Sequence, residues 1–242
     1  MSLTVVIPTY NEAENLPKLI SALLDQPLPD LGVLVVDDDS PDGTGDVADA
    51  LAERYPGQVS VMHRTGKQGL GTAYIQGFQK AIHEGADLIA QMDADFSHSP
   101  EKLVEMYETI ESCDVVIGSR YVRGGRLDEE WPLWRKALSW FGNLYAQMIL
   151  MVPVKDLTAG FRLWQRATLI GMPLEKVRSN GYAFQIEMAY IAHRRGYEIK
   201  EIPIYFAERS VGESKMSFQI QSEAVIRVWQ LLWEYRDLKP VA

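Results

Sequence analysis

Short apolar runs rich in β-branched residues recur along the first half of the chain, at residues 3–7, 33–36, 59–62, 88–92 and 115–117. Runs this short and this continuous fit strands buried on both faces of a parallel sheet. Between them lie helix candidates at 13–24, 44–54, 70–83 and 100–110. That βαβα order predicts an α/β fold, a doubly wound sheet with helices on both faces. Ligands of such sheets bind beyond the carboxyl ends of the strands. After about residue 130 the alternation fades. The pattern there predicts a long helix over 134–151 and a second over 182–195, ended by Gly196. A strand over 198–206, with Pro203 at an edge or bulge, and a terminal helix over 217–235 complete the reading. No linker, repeat or low-complexity segment interrupts the 242 residues, so a single domain is expected.

Composition narrows the picture. A hydrophobic content of 47% is enough for a sizeable core. A net charge of −9 argues against a nucleic-acid binder that relies on a broad basic surface. The single cysteine, Cys113, forms no intrachain disulfide and reads as a small core residue. The run at 3–7 is too short for a signal peptide and meets Pro8. The longest apolar stretch, 137–154, is interrupted by Ser139, Asn143, Gln147 and Pro153. It reads as a buried or amphipathic helix rather than a membrane span, which makes the protein soluble or at most peripheral.

Polar residues gather at the predicted strand ends. The first strand runs into Pro8-Thr9-Tyr10-Asn11-Glu12 and the second into Asp37-Asp38-Asp39-Ser40-Pro41-Asp42-Gly43-Thr44. The fourth ends in Asp93-Ala94-Asp95 and the fifth in Gly118-Ser119-Arg120. Capping accounts for Thr44. It does not account for three consecutive aspartates beside a second acidic pair, whose repulsion needs a cation, a donor group or open water. Side chains at i and i+2 of an extended segment point the same way, so Asp93 and Asp95 can face one cleft. Such a pair suits a hard divalent cation that fills its shell with phosphates and water; the plain alternative is a solvated turn. A dinucleotide-binding reading fails, because its glycine fingerprint does not follow the first strand. Gly66-Lys67-Gln68-Gly69-Leu70-Gly71 lacks that spacing too, and reads either as a flexible loop over the site or as a plain turn.

Taken together, these motifs resemble the inverting family 2 glycosyltransferases of GT-A fold, which implies a doubly wound mixed sheet with helices on both faces, and more narrowly the dolichol-phosphate (polyprenol-phosphate) mannose synthases. The likeness extends through Gly118-Ser119-Arg120-Tyr121, Asp156-Leu157-Thr158-Ala159-Gly160-Phe161-Arg162, Tyr182-Ala183-Phe184-Gln185-Ile186-Glu187 and Phe206-Ala207-Glu208-Arg209…Gly212-Glu213-Ser214-Lys215-Met216. It implies a GDP-mannose donor, a polyprenyl or dolichyl phosphate acceptor and Mg²⁺ or Mn²⁺. It also implies a nucleotide-sugar half over about 1–120 and an acceptor half over about 121–242. By the same resemblance Pro8, Tyr10, Glu12, Val36 and Asp38 cradle the guanosine. Asp93, Ala94 and Asp95 hold ribose, sugar and metal, with Asp95 the first metal ligand and Ser97 the second. Many relatives carry Gln at the position of Ser97.

Arg120, Arg135, Arg162, Arg209 and Lys215 are the candidates for guiding phosphate, because guanidinium groups grip phosphate oxygens two at a time. Arg123, Arg126 and Lys136 are lesser candidates. Gln185 and Glu187 either contact the sugar or order the site. His98 reads as a turn residue beside the metal motif. The tryptophans 131, 134, 140, 229 and 233 read as core, with the alternative that Trp131, Trp134, Trp140 and the helix after them meet a membrane interface. Some relatives continue into transmembrane helices. This chain stops at Ala242, so the expected location is the cytoplasmic face of a membrane, peripherally bound or held by an anchoring partner subunit. Two alternatives remain open: the same fold acting on UDP-glucose or another nucleotide sugar with a lipid-phosphate or glycan acceptor, and a non-catalytic nucleotide-sugar-binding subunit.

Overall fold

The computed structural model describes residues 1–207 and 218–241. The first half alternates as its hydrophobic pattern predicts: β1 (Leu3–Thr9), α1 (Leu16–Leu24), β2 (Leu31–Asp37), α2 (Thr44–Arg54), β3 (Val59–His63), α3 (Leu70–His83), β4 (Leu88–Gln91), α4 (Lys102–Thr109) and β5 (Val115–Ser119). The second half adds β6 (Arg126–Leu127), α5 (Leu133–Leu150), β7 (Arg162–Gln165), α6 (Arg166–Gly171), α7 (Gly181–Arg194), β8 (Ile199–Pro203), β9 (Tyr205–Phe206) and α8 (Phe218–Glu234).

A seven-stranded sheet runs in the order β3-β2-β1-β4-β7-β5-β8. All its neighbours are parallel except β7, which lies antiparallel between β4 and β5. The sheet is therefore mixed, with helices on both faces. Alternate residues of each strand feed two cores. Val5 and Ile7 of β1 and Val33 and Val35 of β2 pack with Leu16, Leu19 and Leu103 of α1 and α4. Val6, Leu34 and Val36 face the other way, onto Tyr74 and Phe78 of α3 and Phe184 of α7. Gly77 permits the close approach of α3: a Cβ there would lie 2.4 Å from Val6 Cγ1 and 3.2 Å from Val36 Cγ2.

Besides the unexpected short elements β6 and α6, three differences from the sequence expectation have a plain physical reason. The first helix begins at Leu16 rather than 13, because residues 12–15 form a turn in which the Leu16 amide donates to the Glu12 carbonyl. The predicted strand over 198–206 is two strands in different sheets. Pro203 closes β8, having no N–H with which to extend the ladder, and β9 pairs instead with β6. Strand β7 had no sequence signal of its own: its four residues, Arg-Leu-Trp-Gln, are strand-forming only because β4 and β5 leave a slot between them.

Candidate active site

The carboxyl ends of β1, β2 and β4 open on one cavity of ≈ 340 Å³. Pro8, Thr9, Tyr10 and Glu12 line it from β1, Asp38 from β2, and Asp93, Ala94, Asp95 and His98 from β4. Lys67, Gly69 and Leu70 close one side; Arg120, Thr158, Gly160, Tyr182, Gln185 and Phe206 form the far wall. Backbone strain concentrates at the same three strand ends. Asn11, Asp39 and Phe96 all hold left-handed conformations, with φ of 63°, 56° and 60°. Residues other than glycine keep such angles where surrounding structure imposes them, typically at functional sites.

The triple aspartate resolves its repulsion in three different ways. Asp37 accepts hydrogen bonds from Thr9 Oγ1 (2.9 Å) and Ser40 Oγ (2.6 Å). Asp38 pairs with buried Arg64 and accepts from the amides of Gln68 (3.2 Å) and Gly69 (3.3 Å). Asp39 is exposed to water. The glycine-rich loop is thus moored to Asp38 at its C-terminal end. Thr44 is not the helix cap expected of it. It is the first residue of α2, and its hydroxyl accepts from the Glu12 amide (2.9 Å) while donating to Asp42 (2.6 Å), tying the β1 and β2 ends together.

The acidic pair stands at the centre of the cavity. Tyr74, fully buried, donates its hydroxyl to Asp93 Oδ1 at 3.0 Å. Burial, reinforced by the Asp93 charge, holds that phenol well above its ordinary range, so it stays a donor. Asp95 Oδ1 accepts from the Ser97 amide at 3.0 Å. The Ser97 hydroxyl is buried and has no hydrogen-bond partner among the described residues, and the Ser97 carbonyl accepts from the Ala207 amide at 3.3 Å. His98 lies in the bend after the acidic pair, as expected, but it is buried. Its ring is buried between Phe161 (5.2 Å between centroids) and Phe206 (5.4 Å), and burial lowers its pKa so that it stands neutral.

No cluster of three His, Cys, Asp or Glu side chains arranged to hold a metal occurs among the described residues. Two carboxylates and an orphaned hydroxyl are nonetheless a hard oxygen donor set, and Mg²⁺ in particular is bound through one or two carboxylates plus substrate phosphates. Asp93, Asp95 and Ser97 therefore fit a divalent ion that arrives with a diphosphate.

The predicted cations separate. Arg120 lines the cavity, but its Nε and Nη2 grip Asp156 (2.7 and 2.6 Å), and Nη2 also reaches Thr158 Oγ1 (2.6 Å). Burial opposes its charge, yet the Asp156 carboxylate more than restores it, and its pKa is raised. Arg135 stands outside the cavity lining, over the ring of Trp131 at 3.5 Å. Arg162 is 0% exposed beneath the site, donating to the carbonyls of Ala159 (3.0 Å) and Leu157 (2.8 Å). It reaches no cavity surface, because β7 buries its side chain inside the sheet. Arg209 and Lys215 lie outside the described residues.

Of the remaining candidates, Gln185 lines the cavity and accepts from Gln91 Nε2 at 2.8 Å. Glu187 is fully buried elsewhere. It accepts from the Ser179 amide (2.9 Å), the Tyr235 hydroxyl (2.7 Å) and Arg227 (3.3 Å), stapling α8 to α7. Val36 packs against α3 and does not face the cavity. Lys67, Tyr74 and Thr158 were not singled out from the sequence. Lys67 lay within a noticed glycine-rich loop; Tyr74 and Thr158 carried no signal, being one aromatic in a helix stripe and one threonine in a quoted motif.

A mixed, doubly wound sheet with an acidic pair at its carboxyl edge defines a GT-A type transferase. The model of Glycosyl transferase family 2 matches residues 4–170, and the chain belongs to that family: it is a glycosyltransferase. It is 46% identical over 241 residues to undecaprenyl-phosphate mannosyltransferase of Micrococcus luteus, covering 99% of this chain and 98% of that protein. It is 46% identical to polyprenol monophosphomannose synthase of Mycolicibacterium smegmatis, covering 93% and 84%. It is 37% identical to dolichol-phosphate mannosyltransferase of Pyrococcus furiosus, covering 97% and 65%. Among solved structures, glucosyl-3-phosphoglycerate synthase from Mycobacterium tuberculosis, in complex with Mn²⁺, UDP and glucosyl-3-phosphoglycerate, shares the fold. Its TM-score is 0.65 at 15% identity, with 100% of this chain and 81% of that chain covered.

Proposed function

We propose that this enzyme transfers mannose, with inversion, from GDP-mannose to a polyprenyl phosphate such as dolichyl phosphate. The observation that carries the reading is near-full-length identity of 46% to a mannosyltransferase named for a polyprenyl phosphate, joined to a cavity whose acidic centre faces Arg120. Tyr10, Glu12 and Asp38 take the nucleoside end. Asp93 and Asp95 take the sugar and diphosphate, with Ser97 beside them. A divalent ion, Mg²⁺ or Mn²⁺, when bound there with the diphosphate, neutralises charge on the leaving GDP.

The acceptor is a phosphate monoester whose second pKa is about 6, so it is already a nucleophile and needs no strong general base. Its oxygen forms the new bond to the anomeric carbon as the bond to the GDP oxygen breaks on the opposite face. What the acceptor needs is alignment. Arg120 is held rigid for that task by Asp156, and Arg135, Arg209 and Lys215 are the further proposed guides. Neutral His98 adds no charge to the pocket. Washed membranes supplied with radiolabelled GDP-mannose or UDP-glucose test the reading. Label is expected in the organic phase from GDP-mannose and not from UDP-glucose; the reverse result overturns the donor assignment.

The acceptor tail implies a membrane, and we place the enzyme peripherally at its cytoplasmic face, alone or with an anchoring partner subunit. No helix among the described residues is long and apolar enough to cross a bilayer. Helix α5 instead exposes Leu133, Trp134, Trp140, Phe141 and Met148, with Met151 just past its end, and α8 exposes Val225, Ile226, Trp229 and Trp233. The two helices pack together, with Trp229 Nε1 donating to the Tyr145 hydroxyl at 3.0 Å and that hydroxyl donating to the Val225 carbonyl at 3.2 Å. Trp131, by contrast, is buried against Phe206 and Arg135 and offers nothing to a bilayer. Exposed tryptophans beside apolar chains suit the membrane–water boundary. With a net charge of −9 the attraction to anionic lipid is weak, so flotation with liposomes should survive raised salt. Trp134→Ser with Trp140→Ser, and separately Trp229→Ser with Trp233→Ser, should each reduce flotation at unchanged circular dichroism. Full retention by both pairs would remove this face as the contact.

A further inference from the structure

Lys67 has a position that the reaction as proposed does not use. It is exposed on the loop between β3 and α3, and its Nζ lies 3.9 Å from the centroid of the Tyr10 ring. Both residues line the cavity together with Asp38. Lys67 makes no ion pair among the described residues. Its loop is nevertheless well anchored on both flanks. Arg64 reaches Asp38, Gln68 Oε1 (3.1 Å) and Thr72 Oγ1 (2.6 Å), and the Gln68 and Gly69 amides donate to Asp38. Only Thr65, Gly66 and Lys67 lie between the anchored Arg64 and Gln68, and Gly66 has φ of 81° and open space around it.

The acceptor capacity of Asp38 can be counted. A carboxylate offers about four lone-pair sites. Three are engaged, by Arg64, the Gln68 amide and the Gly69 amide. Asp38 thus retains room for a single donor from a bound base, too little to recognise a purine edge by itself. The cation beside it can only donate. A cation over a half-buried tyrosine at a cavity mouth is modestly held, whereas a base stacked on the same ring is held more firmly. A base arriving on Tyr10 displaces the ammonium from the ring face toward the base rim, within reach of its four-carbon stem.

We propose that Lys67 is a base-specificity residue, which leaves Tyr10 on nucleotide binding and donates to the O6/N7 edge of guanine while Asp38 accepts one donor from the opposite edge. Guanine is the base with two adjacent acceptors on that edge, and lysine is a common partner for them. The inference rests on the reading of a guanine-nucleotide donor and names how this chain selects it.

Titration calorimetry with GDP, 7-deaza-GDP, the diphosphate of 2-aminopurine riboside (which lacks O6) and UDP tests it on the wild type, Lys67→Met and Lys67→Arg. Lys67→Met is expected to weaken GDP about tenfold or more, the scale of one good base contact. The same substitution should leave UDP unaltered; 7-deaza-GDP, which keeps O6, and the analogue lacking O6, which keeps N7, should each lose less than GDP does, and Lys67→Arg should restore most of the affinity. Equal losses for GDP and UDP would assign Lys67 to the diphosphate and overturn the proposal, as would an unchanged GDP affinity. A wild type that binds UDP and not GDP would overturn the donor reading itself, and this inference with it.

Discussion

Asp95→Asn is expected to leave the fold intact and to lower mannosyl transfer about a thousandfold, the several kcal/mol that a metal-held diphosphate contributes in the transition state. The substitution keeps the volume of a residue that is buried at the centre of the cavity, and its amide oxygen can still accept from the Ser97 amide. What it removes is the negative charge. In a site whose other hard donors are Asp93 and the Ser97 hydroxyl, losing one of two carboxylates removes half of the anionic charge offered to a divalent ion. Initial rates at several Mg²⁺ and Mn²⁺ concentrations, beside calorimetric GDP binding with and without metal, measure the effect. Unchanged, metal-dependent GDP affinity in the variant would take Asp95 out of the ligand set.

Arg162→Ala should act on stability, with a cost of about 3–5 kcal/mol. The side chain is fully buried, and its loss strands the carbonyls of Leu157 and Ala159 and opens a cavity beside Trp164. At ~2–4 °C per kcal/mol for a chain of this size, the midpoint of thermal unfolding should fall by about 10 °C. Its charge is poorly supported as well. Burial pushes the guanidinium down to about 9, against the partial help of Asp156 and Glu201. Arg162→Met, which refills part of the volume, should lose less. Scanning calorimetry decides between this role and the phosphate contact implied by family resemblance. A variant with normal stability and a raised Michaelis constant for acceptor alone would restore the latter.

The two arginines show how far residue type can be read without a fold. Arg120 and Arg162 sit in equally suggestive motifs. Arg120 follows the carboxyl end of β5 and so meets the cavity. Arg162 opens β7, opposite Gln91 and Ile117 inside the sheet, and so cannot. Glu187 and Val36 divide from Gln185 and Asp38 in the same manner. Glu187 lies two residues from Gln185, about 200° around α7, and Asp38 lies past the end of β2, where the alternation that aims Val36 no longer holds. Lys67 was missed for the opposite reason: its loop shows only glycines and polar residues, and its place over Tyr10 exists because Asp38, distant in sequence, draws the loop in.

From its sequence alone this chain determined the alternation of strands and helices, the acidic pair and strand-end motifs, and through them the family. Hydrophobic period and turn chemistry are local properties, and short motifs record the chemistry their residue types permit. The tertiary structure decided the antiparallel entry of β7, the division of 198–206 between two sheets and the burial of His98 and Arg162. It also decided the pairing of Arg120 with Asp156 and the exposure of Trp229 and Trp233. Each of these depends on which distant segments meet, and burial and pairing follow from those meetings rather than from any residue's own neighbours in the chain.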